Sequence, residues 1–150
     1  RRGGVSLVLG GVVGEPPGGS YGKLVAAVAR SPASARFAPP QPALHLVQLD
    51  RVVATCVRGA LGVLPAGRWA LFEPEPVPLN AFLRELESRS PRRRIPVPMS
   101  ASVALAGARM VSSSPLSATP LGAIAEPLQT FLGRDRRWLD ALPVLPGDRS

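Results

Sequence analysis

The sequence predicts an α/β fold built on a mostly parallel sheet, and three observations carry that expectation. Short aliphatic, β-branched runs alternate with segments of helical periodicity, the order that favours parallel strands covered by helices. Glycine and proline clusters punctuate nearly every boundary between them. The chain is 45% apolar and 19% charged, ordinary for a globular protein, yet it has only four Phe, two Trp and one Tyr, so its core must be largely aliphatic.

Taken in order, Val5-Ser6-Leu7-Val8-Leu9 is too short for a helix and is closed by Gly10-Gly11, which predicts a buried strand. Residues 14–19 (Gly-Glu-Pro-Pro-Gly-Gly) must be a loop, after which Ser20 is expected to cap a helix bearing Tyr21, Leu24, Val25 and Val28 on one face. Pro32, Pro39, Pro40 and Pro42 then predict a long irregular connection, followed by a strand over residues 44–49. Asp50 is expected to cap the clearest helix of the chain. Its stripe of Val52, Val53, Cys56, Val57, Ala60, Leu61 and Leu64 follows helical spacing and predicts a core-facing side.

A third strand is expected over 68–72, then a rigid connector at Pro74, Pro76 and Pro78, then a helix with Leu79, Phe82, Leu83 and Leu86 inward. Ile95-Pro96-Val97-Pro98 lacks two ladder donors and so belongs at a sheet edge or outside a sheet. Ser100 should cap a fourth helix, Pro120 should open a fifth carrying Leu121, Ile124, Leu128 and Phe131, and residues 142–150 should fray. Three strands make a parallel sheet that is hard to cover on both faces, and the chain opens on Arg1 with an apolar run already under way at Val5. The expectation is one partial domain over residues 1–150 that continues upstream and is prone to aggregate alone.

Composition narrows the function. No window approaches the roughly 18 apolar residues of a membrane span, and no signal peptide is evident, so no membrane partner and a cytoplasmic location are expected. Cys56 and His45 are the only Cys and His, which rules out a disulfide or a four-ligand zinc site made from this chain alone. Cys56, on the apolar stripe, reads as a core residue. The net charge of +8 invites a nucleic-acid partner, but the arginines are scattered and no aromatic residues interleave with them, so a solvated surface or a small anionic ligand is the better reading.

Motifs for catalysis are missing. A P-loop would need Gly where Pro17 stands and Ser or Thr where Leu24 stands, and Gly11, Gly14 and Gly18 have the wrong spacing for a dinucleotide fingerprint. His45 has no nucleophile or orienting carboxylate evident in the sequence. Glu73 and Glu75 sit among prolines and read as solvated.

Residues 7–16 resemble the "R-P-x-N-V-Y-G-P" segment of extended short-chain dehydrogenase/reductases, the NAD-dependent epimerase/dehydratase family. Gln48-Leu49-Asp50-Arg51-Val52-Val53 resembles that family's "H-V-D-D-V-A" signal, and the later helix and "I-P-V-P" piece fall in the same order. Val8, Gly11, Val13 and Arg51 depart from the pattern. The resemblance covers about residues 5–108 and implies the C-terminal part of a Rossmann-like, mostly parallel sheet plus a small helical substrate-binding region. It further implies an NAD or NADP cofactor whose glycine-rich loop, with the catalytic Tyr and Lys, precedes this segment. Tyr21 is followed four residues later by Val25, so that pair does not map here.

On this resemblance Leu9, Gly11 and Val12 would pass the nicotinamide end of the cofactor. Ser20, Tyr21, Lys23, Arg36 and His45 would face substrate, with Lys23 or Arg36 taking an anionic group such as that of a nucleotide sugar. A homodimer of the full-length protein fits the same reading. The alternatives are a non-catalytic dinucleotide sensor on the same fold and a basic nucleic-acid-binding domain.

Overall fold

The computed structural model describes residues 4–112 and 141–145, a mixed α/β structure in which three of the four strand pairs are parallel. The chain divides into two compact units: Arg1–Glu15, His45–Glu75 and Asp135–Ser150 form the first, and Pro16–Leu44 with Pro76–Arg134 the second.

In the first unit β1 (Val5–Leu9) pairs in parallel with β6 (Gly67–Leu71), and β2 (Gly11–Val13) with β5 (Leu46–Gln48). Alternation along β1 and β6 decides which side chains are inside. Leu9 and Leu71, with Val5 and Trp69, join Val47, Leu64 and Leu145 in one cluster, while Val8, Ala70 and Phe72 pack with Leu142 in another. The expected third strand thus forms one residue earlier than 68–72. Residues 142–145, expected to fray, instead hold to β6: Ala70 N–H donates to the Pro143 carbonyl, Leu145 N–H to that of Ala70, and Leu145 is buried.

The helix α2 (Leu49–Ala60) follows β5 directly. Its N-cap is Gln48, not Asp50, which lies in the first turn where a carboxylate favours the helix dipole. The expected inward stripe is largely outward. Val53, Val57 and Leu61 are 54%, 52% and 73% exposed, Cys56 is exposed too, and the side chain buried is Thr55, whose hydroxyl donates to the Arg51 carbonyl. Val52 and Leu64 alone of that stripe reach the core cluster. The reason is geometric: a stripe as wide as two adjacent residues per turn has two edges, and α2 turns only one of them toward its own unit.

In the second unit α1 (Gly19–Arg30) buries Tyr21 and Leu24. Its N-cap is Gly18 with no side-chain cap, so Ser20 is the second residue of the helix instead of its cap. The stretch expected to be irregular contains β3 (Ala33–Phe37), paired in parallel with β8 (Ile95–Met99). Such a pairing spans some sixty residues of sequence, with no local signal to announce it. The expected strand over 44–49 is split: β4 (Ala43–Leu44) pairs antiparallel with β7 (Val77–Pro78), inside the expected proline connector, and β5 begins only after His45.

The helix α3 (Leu79–Ser88) matches its expected face, with Leu79, Phe82, Leu83 and Leu86 all buried. Each such side chain removed from water stabilises by about 1.5–3 kcal/mol before entropy is counted. Ser100 caps α4 (Ala101–Ser112) by accepting from Val103 N–H. The expected fifth helix lies outside the described residues.

Candidate functional site

The first unit contains a change of strand partner at Gly10 and Gly11. Gly10 N–H donates to the Leu71 carbonyl at 3.0 Å, completing the β1–β6 ladder, and Gly11 N–H donates to the His45 carbonyl at 2.7 Å, opening the β2–β5 ladder. Beyond β6, Glu73 N–H donates to the Leu46 carbonyl at 2.7 Å. β5 therefore enters between β2 and the residues after β6, at the carboxyl ends of β1 and β6. Only glycine fits at the junction, because a Cβ on Gly10 would overlap the His45 carbonyl oxygen and crowd its carbon at 3.0 Å. In open α/β sheets the carboxyl ends of diverging parallel strands are where ligands bind.

Leu9, Gly11, Val12 and His45 all belong to this junction. Gly11 is buried, and Leu9 and Val12 are half-buried against the Val47–Leu71 cluster. The His45 ring meets Phe72 edge-on, with centroids 4.8 Å apart. Its Nδ1 is shielded from solvent and has no hydrogen-bond partner among the described residues. A buried polar atom left so is costly, and a ligand hydroxyl, amide or water is the usual remedy.

Arg51, which stands where the resembling family has an acid, bonds to Glu73 at 2.8 Å. That contact ties the first turn of α2 to the residues after β6. Glu73 is thus an ion-pair partner, where the sequence suggested only a solvated carboxylate.

The other candidates lie in the second unit. Tyr21 is buried, with its ring 6.4 Å from that of Phe82. Lys23 is exposed and Ser20 half-buried on α1. Arg36 is engaged by its own unit: it donates to Glu87 Oε2 at 2.9 Å.

Glu87 is the residue that sequence reasoning missed. Its Oε1 accepts from the Ser34 hydroxyl at 2.6 Å while Oε2 accepts from Arg36, joining β3 to α3. Burial pushes this carboxyl up, but the bonds from Ser34 and Arg36 and the charges of Arg36 and Arg94 outweigh it and hold it below its ordinary value. Arg94 in turn donates to the carbonyls of Glu87 and Val28. Only the polar alternation Ser34, Arg36 opposite a helix could have hinted at this network. No group of three or more His, Cys, Asp or Glu suited to a metal occurs among the described residues.

No protein-family model matches the chain, and no curated protein matches it in sequence.

Proposed function

We propose that this chain is the substrate-side part of an NAD(P)-dependent oxidoreductase, epimerase or dehydratase of the extended short-chain dehydrogenase type. The observation that carries the reading is the partner exchange at Gly10–Gly11, within the residues that resemble that family's segment and at the carboxyl ends of two parallel strands. Leu9, Gly11 and Val12 would form one wall at the nicotinamide end of the cofactor, which supplies the hydride chemistry when bound. His45 Nδ1, without a partner among the described residues, is the polar atom at that wall, and it can donate or accept according to tautomer. A nucleotide sugar or similar anionic compound is the substrate class.

The test is amide chemical-shift mapping of the labelled chain with millimolar NAD, NADP and a UDP-sugar. Shifts centred on Gly10, Gly11, Val12 and His45 support the reading. Shifts centred on other residues refute the site, and micromolar dinucleotide binding by this chain alone, seen by calorimetry, refutes the assignment of the cofactor-binding half to other residues.

A dinucleotide sensor without catalysis is the second reading. It is favoured by the departures from the family pattern at Val8, Val13 and Arg51, the last of which bonds to Glu73. Substrate turnover by the full-length protein would exclude it.

A further inference from the structure

Independently of that reading, we propose that the second unit docks on the surface of an anionic lipid bilayer through Arg30, Arg92 and Arg93 and the aliphatic side chains that follow them. Arg94 fixes the geometry. Its bonds to the Val28 and Glu87 carbonyls, with Ile95 N–H donating to the Pro32 carbonyl, hold residues 92–95 beside the last turns of α1 and α3. Arg94 thereby bonds one carbonyl at each helix end. Arg30, Arg92 and Arg93 are left exposed, with no carboxylate or carbonyl partner among the described residues. Solvated arginines at helix ends are common, so the argument needs what lies next to them.

The neighbouring surface is apolar. Ser34 and Arg36 point from β3 to Glu87, so Ala33 and Ala35 lie on the opposite face of the β3–β8 pair, in register with Ile95 and Val97. Ile95 is 71% exposed and Val97 38%. α4 follows immediately, with Val103 67% exposed in a helix composed almost wholly of small and aliphatic residues. No Asp or Glu occurs anywhere between Glu87 and Glu126. Basic side chains beside exposed aliphatic ones are what an interfacial segment requires, and the carboxylates of the adjoining helix turn are engaged, Glu87 by Ser34 and Arg36 and Glu85 by Arg89.

Other partners fit less well. A nucleic acid would use the arginines but has no call for Ile95 and Val97, and among the described residues no exposed aromatic side chain stands beside them for stacking. A strand from a second protein is disfavoured at the β8 edge. Ile95 N–H and the Met99 carbonyl bond toward β3, so positions 96 and 98 face the open edge, and both are proline. Among the described residues no helix is long and apolar enough to cross a membrane, and a surface contact does not need one.

The experiment is co-sedimentation of the chain with vesicles of phosphatidylcholine alone or mixed with phosphatidylserine, at low and raised salt. Binding to the mixed vesicles only, weakened by salt, is expected. Arg92→Gln with Arg93→Gln should lower partitioning about 30-fold, at about fivefold per arginine. Arg68→Gln with Arg84→Gln, which removes the same charge from exposed sites elsewhere, should lower it much less. In a Cys56→Ser background, a polarity-sensitive dye on Ile95→Cys should shift to the blue on mixed vesicles. All these sites are exposed, and far-UV circular dichroism checks that each variant folds. No binding to mixed vesicles at low salt, equal losses in both double variants, an unshifted dye, or displacement by duplex DNA at equal charge concentration would each overturn the proposal.

Discussion

Two helices of this chain, α2 and α3, carry equally clear apolar stripes and do opposite things with them. α3 buries Leu79, Phe82, Leu83 and Leu86 within the second unit, whereas α2 leaves Val53, Val57 and Leu61 in solvent and buries Thr55. The stripe records that a helix has an apolar side. It does not record what lies against it. α3 is closed by specific polar contacts at its edges, Asn80 bonding both ways with Phe37 and Glu87 holding Ser34 and Arg36, so its apolar side has one orientation available. In α2 the corresponding anchor is Arg51 on Glu73, at its first turn.

The largest effect that separates them is truncation of the packed stripe. Phe82→Ala should destabilise the second unit by about 3–5 kcal/mol, since it removes a buried ring that Tyr21 packs against and leaves a cavity. Urea unfolding followed by tyrosine fluorescence reads this. A loss below about 1 kcal/mol would mean that the α3 face is not the core of its unit.

Next comes the junction of the first unit. Gly10→Ala forces a methyl group into the His45 carbonyl, where the obstacle is backbone and cannot swing aside, so a cost of about 1–3 kcal/mol is expected. His45 Cα and Gly11 amide shifts should move together in the variant. If Gly10→Ala is neutral, β5 does not sit as tightly against the glycine pair as described.

Half of this contrast is legible in the sequence, the inward face of α3, and half is not, the outward face of α2; the limits are physical. The runs at Val5–Leu9 and Leu79–Ser88 were legible because the pattern and the packing agree: one is a parallel strand packed on both faces, the other a helix with one apolar side. β3 was not, since Ala33-Ser34-Ala35-Arg36-Phe37 has weak strand preference and is held by β8, far along the chain. The split at His45 was hidden for the same reason: its carbonyl is claimed by Gly11, a contact that no local rule predicts. At the candidate site, Gly11 and His45 could each be picked out as single residues, but their bond could not. The sequence offers Arg36 to a substrate, but Glu87, some fifty residues on, occupies it.

Glu87 gives the third test, through pH. Its carboxyl is held low in the folded chain, so the stability it contributes is complete above the unfolded value, about 4.3, and is lost as pH falls through the lower folded value. Glu87→Gln should cost about 1–2 kcal/mol at neutral pH, the lower range for charge-assisted bonds at a partly buried site. It should also flatten the acid limb of the urea midpoint plotted against pH. An acid limb of unchanged steepness would show that Glu87 is not held low, and with it that β3 and α3 are not joined through this carboxylate.

The smallest expected effect is on α2, and it is the most discriminating. Val57→Asp puts a charge where half the side chain already meets water, so it should change unfolding free energy by no more than about 0.5 kcal/mol, against the several expected for Phe82→Ala. Cys56, one residue away and exposed, supplies an independent readout on the unmodified chain. If the stripe is open, the native thiol reacts with a maleimide as fast as it does in urea, and Val57→Asp leaves that rate alone. A native thiol that reacts only on unfolding, or a Val57→Asp variant that is strongly destabilised, would mean that the stripe is covered in solution. α2 would then share the design of α3, and the difference between the two helices would vanish.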